Sequence, residues 1–304
     1  MTYSRLANPR ETRAVLEDFG LATKHRLGQN FLVNDEVIGR IVNLAELDGN
    51  DVVLEVGPGI GTLTVAMLSA CRAVCSIEAD RELEQVLAQT CATDGDKFAL
   101  VMGDALRVTP TQVDDALAGL TKVTKGQSLC QPCQPNKFVA NLPYQVAATL
   151  ILKFFQDFGS LKRACVMVQA EVADRICAAP GNKTYGAYTA KLALLARPTG
   201  RFEVGPGNFM PPPHVDSAVV RLDRTPMADP VSGEPLSAER AARVAEVIDA
   251  AFAQRRKTIR NSMGANGFEK DALDAAFAAC DIAPTARAET LSPEDFVRLE
   301  GALS

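Results

Sequence analysis

Val52-Val53-Leu54-Glu55-Val56-Gly57-Pro58-Gly59-Ile60-Gly61 is the stretch that decides the fold. Four of its first five residues are apolar, which reads as a strand covered on both faces. Three glycines follow within five residues, and residues 62–70 then carry a helical pattern. A strand, a glycine loop and a helix in that order form a unit whose backbone can turn tightly and approach a ligand. The alternation continues outward. Residues 73–77 read as a second strand and 81–91 as a helix; 98–102 as a third strand; 138–140 as a fourth, followed by a helix over 146–158; and 165–168 as a fifth. Near-continuous apolar strands alternating with helices predict an α/β domain with a parallel sheet sandwiched between helices.

Beyond this alternation the pattern changes. Residues 216–222 are a later strand candidate, and 226–235 are rich in Pro, Gly and Asp and read as a linker. Residues 238–254, 269–279 and 292–303 are helical by pattern, and no strand signal follows the linker. The last helix opens on Ser292 as N-cap, with Pro293 and the acids Glu294 and Asp295 in its first turn. The expected organisation is therefore a domain over 1–226 and a small all-α domain over 235–304. Two loops stand out. Residues 121–135 are polar and look like an insertion. Met210-Pro211-Pro212-Pro213 is rigid and cannot be helical.

Composition limits the partners. The 304 residues are 47% hydrophobic, enough for a sizeable core, while 32 basic against 37 acidic residues leave a net charge of −5. A chain with that balance is not basic overall, so nucleic-acid binding has to rest on local patches. There is no apolar run of about 18 residues, which argues against a transmembrane helix. The mixed-charge start lacks an apolar signal segment, so a cytoplasmic protein with no membrane partner is expected. Eight cysteines in such a chain read as reduced thiols. Cys130-Gln131-Pro132-Cys133 is a lone CxxC. A structural zinc site needs a second ligand pair, and the chain has only His25 and His214 to add, so a loop cysteine pair is expected and no metal.

The chemistry-bearing residues fall at the ends of the predicted strands. Glu78 closes the second strand about 20 residues past the glycine loop, where a carboxylate commonly grips ribose hydroxyls. The glycine spacing is Gly57-x-Gly59-x-Gly61 rather than the dinucleotide pattern, and Glu55 would repel a pyrophosphate while tolerating a cation such as a sulfonium. Glu55 as a loop cap is the other reading. The cofactor these features favour is S-adenosylmethionine rather than NAD. Asp104 in Gly103-Asp104-Ala105 either accepts from an adenine amine or caps the next helix; local sequence does not separate the two. Asn141-Leu142-Pro143-Tyr144 ends the fourth strand. There an Asn oxygen and nearby carbonyls can accept both protons of an exocyclic amine, and Tyr144 can stack on a base. A turn with a packed tyrosine is the plainer alternative.

Asn141 to Tyr144 resembles the signature tetrapeptide of amino-methyltransferases. The wider chain resembles the bacterial small-subunit (16S) ribosomal RNA adenine N6,N6-dimethyltransferases, the kasugamycin-sensitivity methyltransferase family. The likeness is carried by an ordered set: residues 24–32 (Lys-His-Arg-Leu-Gly-Gln-Asn-Phe-Leu), the glycine loop, 103–105, 141–144, 209–220 (Phe-Met-Pro-Pro-Pro-His-Val-Asp-Ser-Ala-Val-Val) and 255–262 (Arg-Arg-Lys-Thr-Ile-Arg-Asn-Ser). The resemblance implies a Rossmann-like seven-stranded methyltransferase sheet with a helical rRNA-binding domain. It implies transfer of methyl groups from S-adenosylmethionine to N6 of two adjacent adenosines near the 3′ end of 16S rRNA during ribosome assembly, by a monomer acting on the small subunit or its precursor. Asn30, Leu32, Gly57, Gly59, Glu78, Asp104 and Asn141 would hold the cofactor. Asn141, Leu142, Pro143 and Tyr144 would hold the target adenine, with Phe209 facing Tyr144 across the flipped ring. Arg255, Arg256, Lys257 and Arg260 put four positive charges in six residues and would contact phosphates, with Lys24-His25-Arg26 adding to that track. The 121–135 insertion departs from the family pattern without touching a matched motif. Two rivals remain: a large-subunit rRNA adenine dimethyltransferase, whose catalytic motifs are similar, and a non-catalytic assembly factor on the same scaffold. The 209–220 and 255–262 segments favour the small-subunit enzyme over the first, and intact Glu78, Asp104, Asn141 and Tyr144 argue against the second.

Overall fold

The structure, a computed structural model, describes residues 2–21, 30–120 and 134–304. The chain divides into two compact units, Met1–Ala173 with Pro198–Asp223, and Asp174–Arg197 with Arg224–Ser304. The elements run α1 (Pro9–Asp18), β1 (Phe31–Leu32), α2 (Asp35–Ala45), β2 (Val52–Val56), α3 (Thr62–Leu68), β3 (Ala73–Glu78), α4 (Leu83–Thr90), β4 (Phe98–Met102), α5 (Pro110–Leu120), β5 (Lys137–Asn141), α6 (Ala147–Asp157), β6 (Arg163–Gln169), α7 (Ala170–Ile176), α8 (Ala187–Ala193), β7 (Ala196–Val204), β8 (Phe209–Met210) and β9 (Ser217–Arg224). Four helices follow: α9 (Ala238–Phe252), α10 (Ile259–Gly264), α11 (Lys270–Ala279) and α12 (Pro293–Leu303).

Seven strands form one sheet in the order β4-β3-β2-β5-β6-β9-β7. The first five are parallel, and β9 runs antiparallel to β6. All five residues of β2 are buried, as expected of a central strand covered on both faces. After β2 the chain moves to β3 and β4 on one side, then returns on the other side at β5. The carboxyl ends of β2 and β5 therefore flank the point where strand order reverses, where open α/β sheets form their ligand crevice.

The strand that periodicity misses is β7. It contains Pro198 and Gly200, and most of its residues are exposed or half-exposed. Its place at the end of the sheet explains both, since an edge strand tolerates proline and has one unpaired side. β1 and β8 pair over two residues only, Phe31 with Met210 and Leu32 with Phe209, too short for any pattern.

The second unit is not a simple C-terminal segment. The linear division at 226–235 places residues 174–197 with the sheet, whereas the structure packs them in the second unit. The cause is burial: Tyr185, Ala190 and Leu194 share an apolar core with Val244, Ile248, Phe277 and Phe296. The α12 start is as read, with Ser292 and Asp295 forming a reciprocal capping box. The short α10 carries no periodicity, yet Thr258 caps it by accepting from the Asn261 N–H.

Candidate active site

A cleft of about 440 Å³ opens over the carboxyl ends of the strands in the first unit. That is within the roughly 300–1,000 Å³ of small-molecule sites. Its floor is the glycine loop. Gly57 and Gly59 have φ of +67° and +60°, a region in which a Cβ is strained. A Cβ on Gly59 would also stand 3.1 Å from the Phe31 ring, which lines the same cleft.

Glu78 fastens this loop. Its carboxylate accepts from the Asp80 N–H at 2.9 Å and lies 3.4 Å from the Gly59 N–H, and burial raises its pKa. A loop N–H already turned to a carboxylate is a poor host for pyrophosphate. Glu55 plays a different part from the one expected of a free anion. It is 1% exposed, and one oxygen accepts from Thr64 Oγ1 at 2.7 Å and from Ser76 Oγ at 2.6 Å. Burial pushes its pKa up to about 7. Glu55 thus ties α3 to β3 beneath the loop, and Glu78 is the carboxylate that disfavours a pyrophosphate there. Asp104 uses one oxygen to accept from the Leu106 N–H at 3.0 Å, a local cap, while its side chain remains 54% exposed at the rim.

The opposite wall is the end of β5. Asn141 Nδ2 donates to the Asn30 carbonyl at 3.3 Å. That commits the amide nitrogen and leaves Oδ1 as the acceptor end. The Pro143 carbonyl accepts from the Val146 N–H at 3.2 Å, and the Leu142 N–H donates to Met167 at 3.1 Å. Leu142 therefore offers the less committed carbonyl of the two. Tyr144 Oη meets Ser217 Oγ at 2.7 Å, and burial raises its pKa. Asn30, Leu32, Gly57, Gly59, Glu78, Asp104 and Asn141 to Tyr144 all line this one cleft.

Phe209 does not line it. Phe209 is 3% exposed, pairs with Leu32 through the β1–β8 ladder, and belongs to the main apolar core. Phe31 and Leu32 belong to the same buried cluster, so Phe209 packs in the core behind residues of the cleft wall. Three lining residues that sequence reasoning missed are Phe31, Thr62 and Gln169. Thr62 directly follows the glycine loop and Gln169 ends β6; position at a strand or loop end was the available signal.

The basic run in the second unit is weaker than its composition. Arg260 is held by Asp274 through two hydrogen bonds of 2.5 and 2.6 Å. Arg255 contacts Glu289 at 3.4 Å and donates to the Lys183 carbonyl. Arg256 and Lys257 are exposed in the turn before α10, with no ionic or side-chain hydrogen-bond partner among the described residues. Residues 24–29 of the first quoted motif, and the Cys130–Cys133 pair, lie outside the described residues. Among the described residues no helix is long and apolar enough to cross a membrane.

A mixed seven-stranded sheet with five parallel strands, a glycine loop after β2, an acid at the end of β3 and a polar tetrapeptide at the end of β5 defines the class of Rossmann-like methyltransferases. Residues 20–304 match the family described as ribosomal RNA adenine dimethylase. The chain is similar to the ribosomal RNA small subunit methyltransferase A of Rhodococcus opacus, 39% identical over 298 residues, covering 97% of this chain and 93% of the relative. It is 37% identical to the protein of that name from Streptomyces coelicolor, over 98% of this chain and 97% of the other. Among solved structures, the 23S rRNA methyltransferase ErmE superposes with a TM-score of 0.64 at 25% identity, covering 90% of this chain and 99% of that one. A dimethyladenosine transferase from Plasmodium falciparum shares the fold, with a TM-score of 0.68 at 23% identity over 88% of this chain and 95% of that one. The chain belongs to the ribosomal RNA adenine dimethylase family, and it is an rRNA adenine dimethyltransferase.

Proposed function

We propose that this chain transfers methyl groups from S-adenosylmethionine to N6 of two adjacent adenosines near the 3′ end of 16S rRNA, acting on the small subunit or its precursor. The observation that carries the reading is the free Asn141 Oδ1 beside the Leu142 carbonyl at the end of β5. Relatives named for the small subunit, at 35–39% identity over nearly the whole chain, support the choice of subunit.

The cleft fits the cofactor. The left-handed glycines let backbone come close to a ligand, Glu78 and Asp104 offer acceptors to ribose and adenine, and Asn30, Leu32 and Gly57 close the walls. S-adenosylmethionine supplies an electrophilic methyl on sulfur. The protein's own task is to present the amine. An adenine amine keeps its lone pair delocalised in the ring. Two acceptors, Asn141 Oδ1 and the Leu142 carbonyl, can take its two N–H bonds and draw the nitrogen toward a pyramidal shape, which localises the lone pair on it. Tyr144 is placed to stack on the base, its hydroxyl anchored on Ser217. Catalysis by such a site is positioning and charge placement. Each adenine has to leave its stack to enter, and Arg256 and Lys257, with Arg255 and Arg260, form the proposed phosphate contact on the second unit.

The test is methyl incorporation from labelled S-adenosylmethionine into undermethylated small and large subunits, with the product mapped by reverse transcription. Dimethyladenosine near the 3′ end of 16S rRNA is expected. Label confined to 23S rRNA makes the chain a large-subunit enzyme, and binding without label makes it an assembly factor.

A further inference from the structure

Most polar side chains around the cleft already have work. Glu55 holds Thr64 and Ser76, Glu78 holds the loop, Asp104 caps Leu106, Asn141 holds Asn30, and Tyr144 holds Ser217. Gln169 does not: it is half-buried in the wall, and its carboxamide has no hydrogen-bond partner among the described residues. Its amide atoms are not sealed from the cleft, so they are free to bond a ligand that enters it.

Its position says which ligand. Asn141 lies opposite Met167 in the β5–β6 ladder, and Gln169 is two residues further along β6. Alternate residues of a strand share a face, so Gln169 stands on the Asn141 side, about 6.5 Å beyond it along the strand. Its ladder partner on β9 is Ser217, the residue that anchors the Tyr144 hydroxyl. Gln169 is thus at the base-holding end of the cleft, away from the glycine loop.

We infer that Gln169 reads the target base, its carboxamide N–H donating to a ring nitrogen that flanks the reacting amine, N1 or N7 of adenine. The inference rests on the proposed function above. Both nitrogens of adenine are acceptors; N1 of guanine carries a proton, so a donor at N1 distinguishes the two purines, whereas a donor at N7 positions the ring without distinguishing them. The role is positioning and selectivity rather than activation. A hydrogen bond given to the ring draws the amine lone pair toward it, so the benefit lies in fixing the ring while Asn141 and Leu142 turn the amine.

The test uses small subunits assembled on rRNA carrying adenosine, 1-deazaadenosine or 7-deazaadenosine at the target. Single-turnover transfer is measured for the full chain and for Gln169→Leu and Gln169→Glu, alongside adenosylmethionine affinity and melting temperature. Either substitution is expected to slow transfer to adenosine about tenfold, the worth of one positioned hydrogen bond, with cofactor affinity unchanged. On one of the two analogues the native chain is expected to be slowed by the same factor and the variants no further; which analogue behaves so identifies the nitrogen. If Gln169→Leu lowers the melting temperature, Gln169→Glu, of the same shape but without the donor, decides. Native-like transfer by the variants overturns the inference. So does a slowed variant that keeps the native sensitivity to both analogues, because that is the mark of wall support alone. Failure of the native chain to methylate adenosine subunits overturns the proposed function itself, a result separable from any defect confined to Gln169.

Discussion

Asn141 and Asn30 are joined by one hydrogen bond, 3.3 Å from the Asn141 amide nitrogen to the Asn30 carbonyl. The bond connects the end of β5 to the segment entering β1, and it fixes which end of the Asn141 carboxamide remains available. An amide free to flip would present a donor half the time, and a donor repels the hydrogens of an amine.

Asn141→Ala is therefore expected to cut single-turnover methyl transfer by more than tenfold, since about 1.4 kcal/mol of lost positioning already costs that factor. Asn141→Asp keeps an acceptor oxygen but sets a carboxylate against the Asn30 carbonyl, so its transfer is also expected to fall. Subunit binding by Asn141→Ala should persist, as phosphate contacts supply much of such affinity. Native-rate transfer by this variant would remove Asn141 from the mechanism.

Glu55 predicts a pH effect on stability. Burial raises its pKa from 4.5 to about 7, so the folded chain holds the proton more tightly than the unfolded chain. Its favourable contribution is whole below about 4.5 and drains away as pH rises toward 7, at most on the order of 1.4 kcal/mol per pKa unit. Gln keeps an oxygen for Thr64 and Ser76 and cannot ionise. Denaturant unfolding of Glu55→Gln should show a smaller fall in stability between pH 5 and pH 8 than the native chain, flattening the curve by about 1–3 kcal/mol. Parallel curves would mean that Glu55 ionises at its ordinary value.

The basic run offers a sharper contrast than its sequence does. Arg256 and Lys257 have no acid partner among the described residues, while Arg260 is tied to Asp274. Reversing Arg256 and Lys257 to Glu should weaken small-subunit binding and make its dependence on log salt shallower, by roughly one unit of slope for each phosphate no longer neutralised. Arg260→Ala should leave that slope nearly unchanged and act instead on the packing of α10 against α11. Equal effects on the slope would show that Arg260 leaves Asp274 to bind RNA.

These contrasts also mark what was legible in the sequence. β2, β3, β4 and β5 could be read because each is a short apolar run between turn signals, and residues that line the cleft stand at their ends. Asn141, Glu78 and Gly57 were legible for that reason. β7 was not, because an edge strand needs neither apolar alternation nor freedom from proline. Residues 174–197 were not, because what assigns them to the second core is the burial of Tyr185 against Phe252 and its neighbours, about 70 residues away in sequence. Charge counting overstated the basic run, since Asp274 and Glu289 come from other segments.

Phe209 is buried and lies outside the cleft lining, and one variant separates a role in the core from a role against the base. The ring is 3% exposed and stands in the core beside Leu32. If it works from there, Phe209→Ala leaves a cavity, and the cost is that of a buried aromatic, roughly 3–5 kcal/mol of unfolding free energy. The Asn30–Leu32 wall loses its backing, so adenosylmethionine affinity should fall along with stability. If the ring instead turns out to stack on the flipped adenine, it contributes roughly 1–3 kcal/mol to holding the base. In that case transfer slows while stability and cofactor affinity stay near native. Denaturant unfolding, calorimetry with adenosylmethionine and single-turnover transfer on the one variant give the answer. The buried position predicts that all three fall together; loss of transfer alone would show that Phe209 leaves the core to clamp the base against Tyr144.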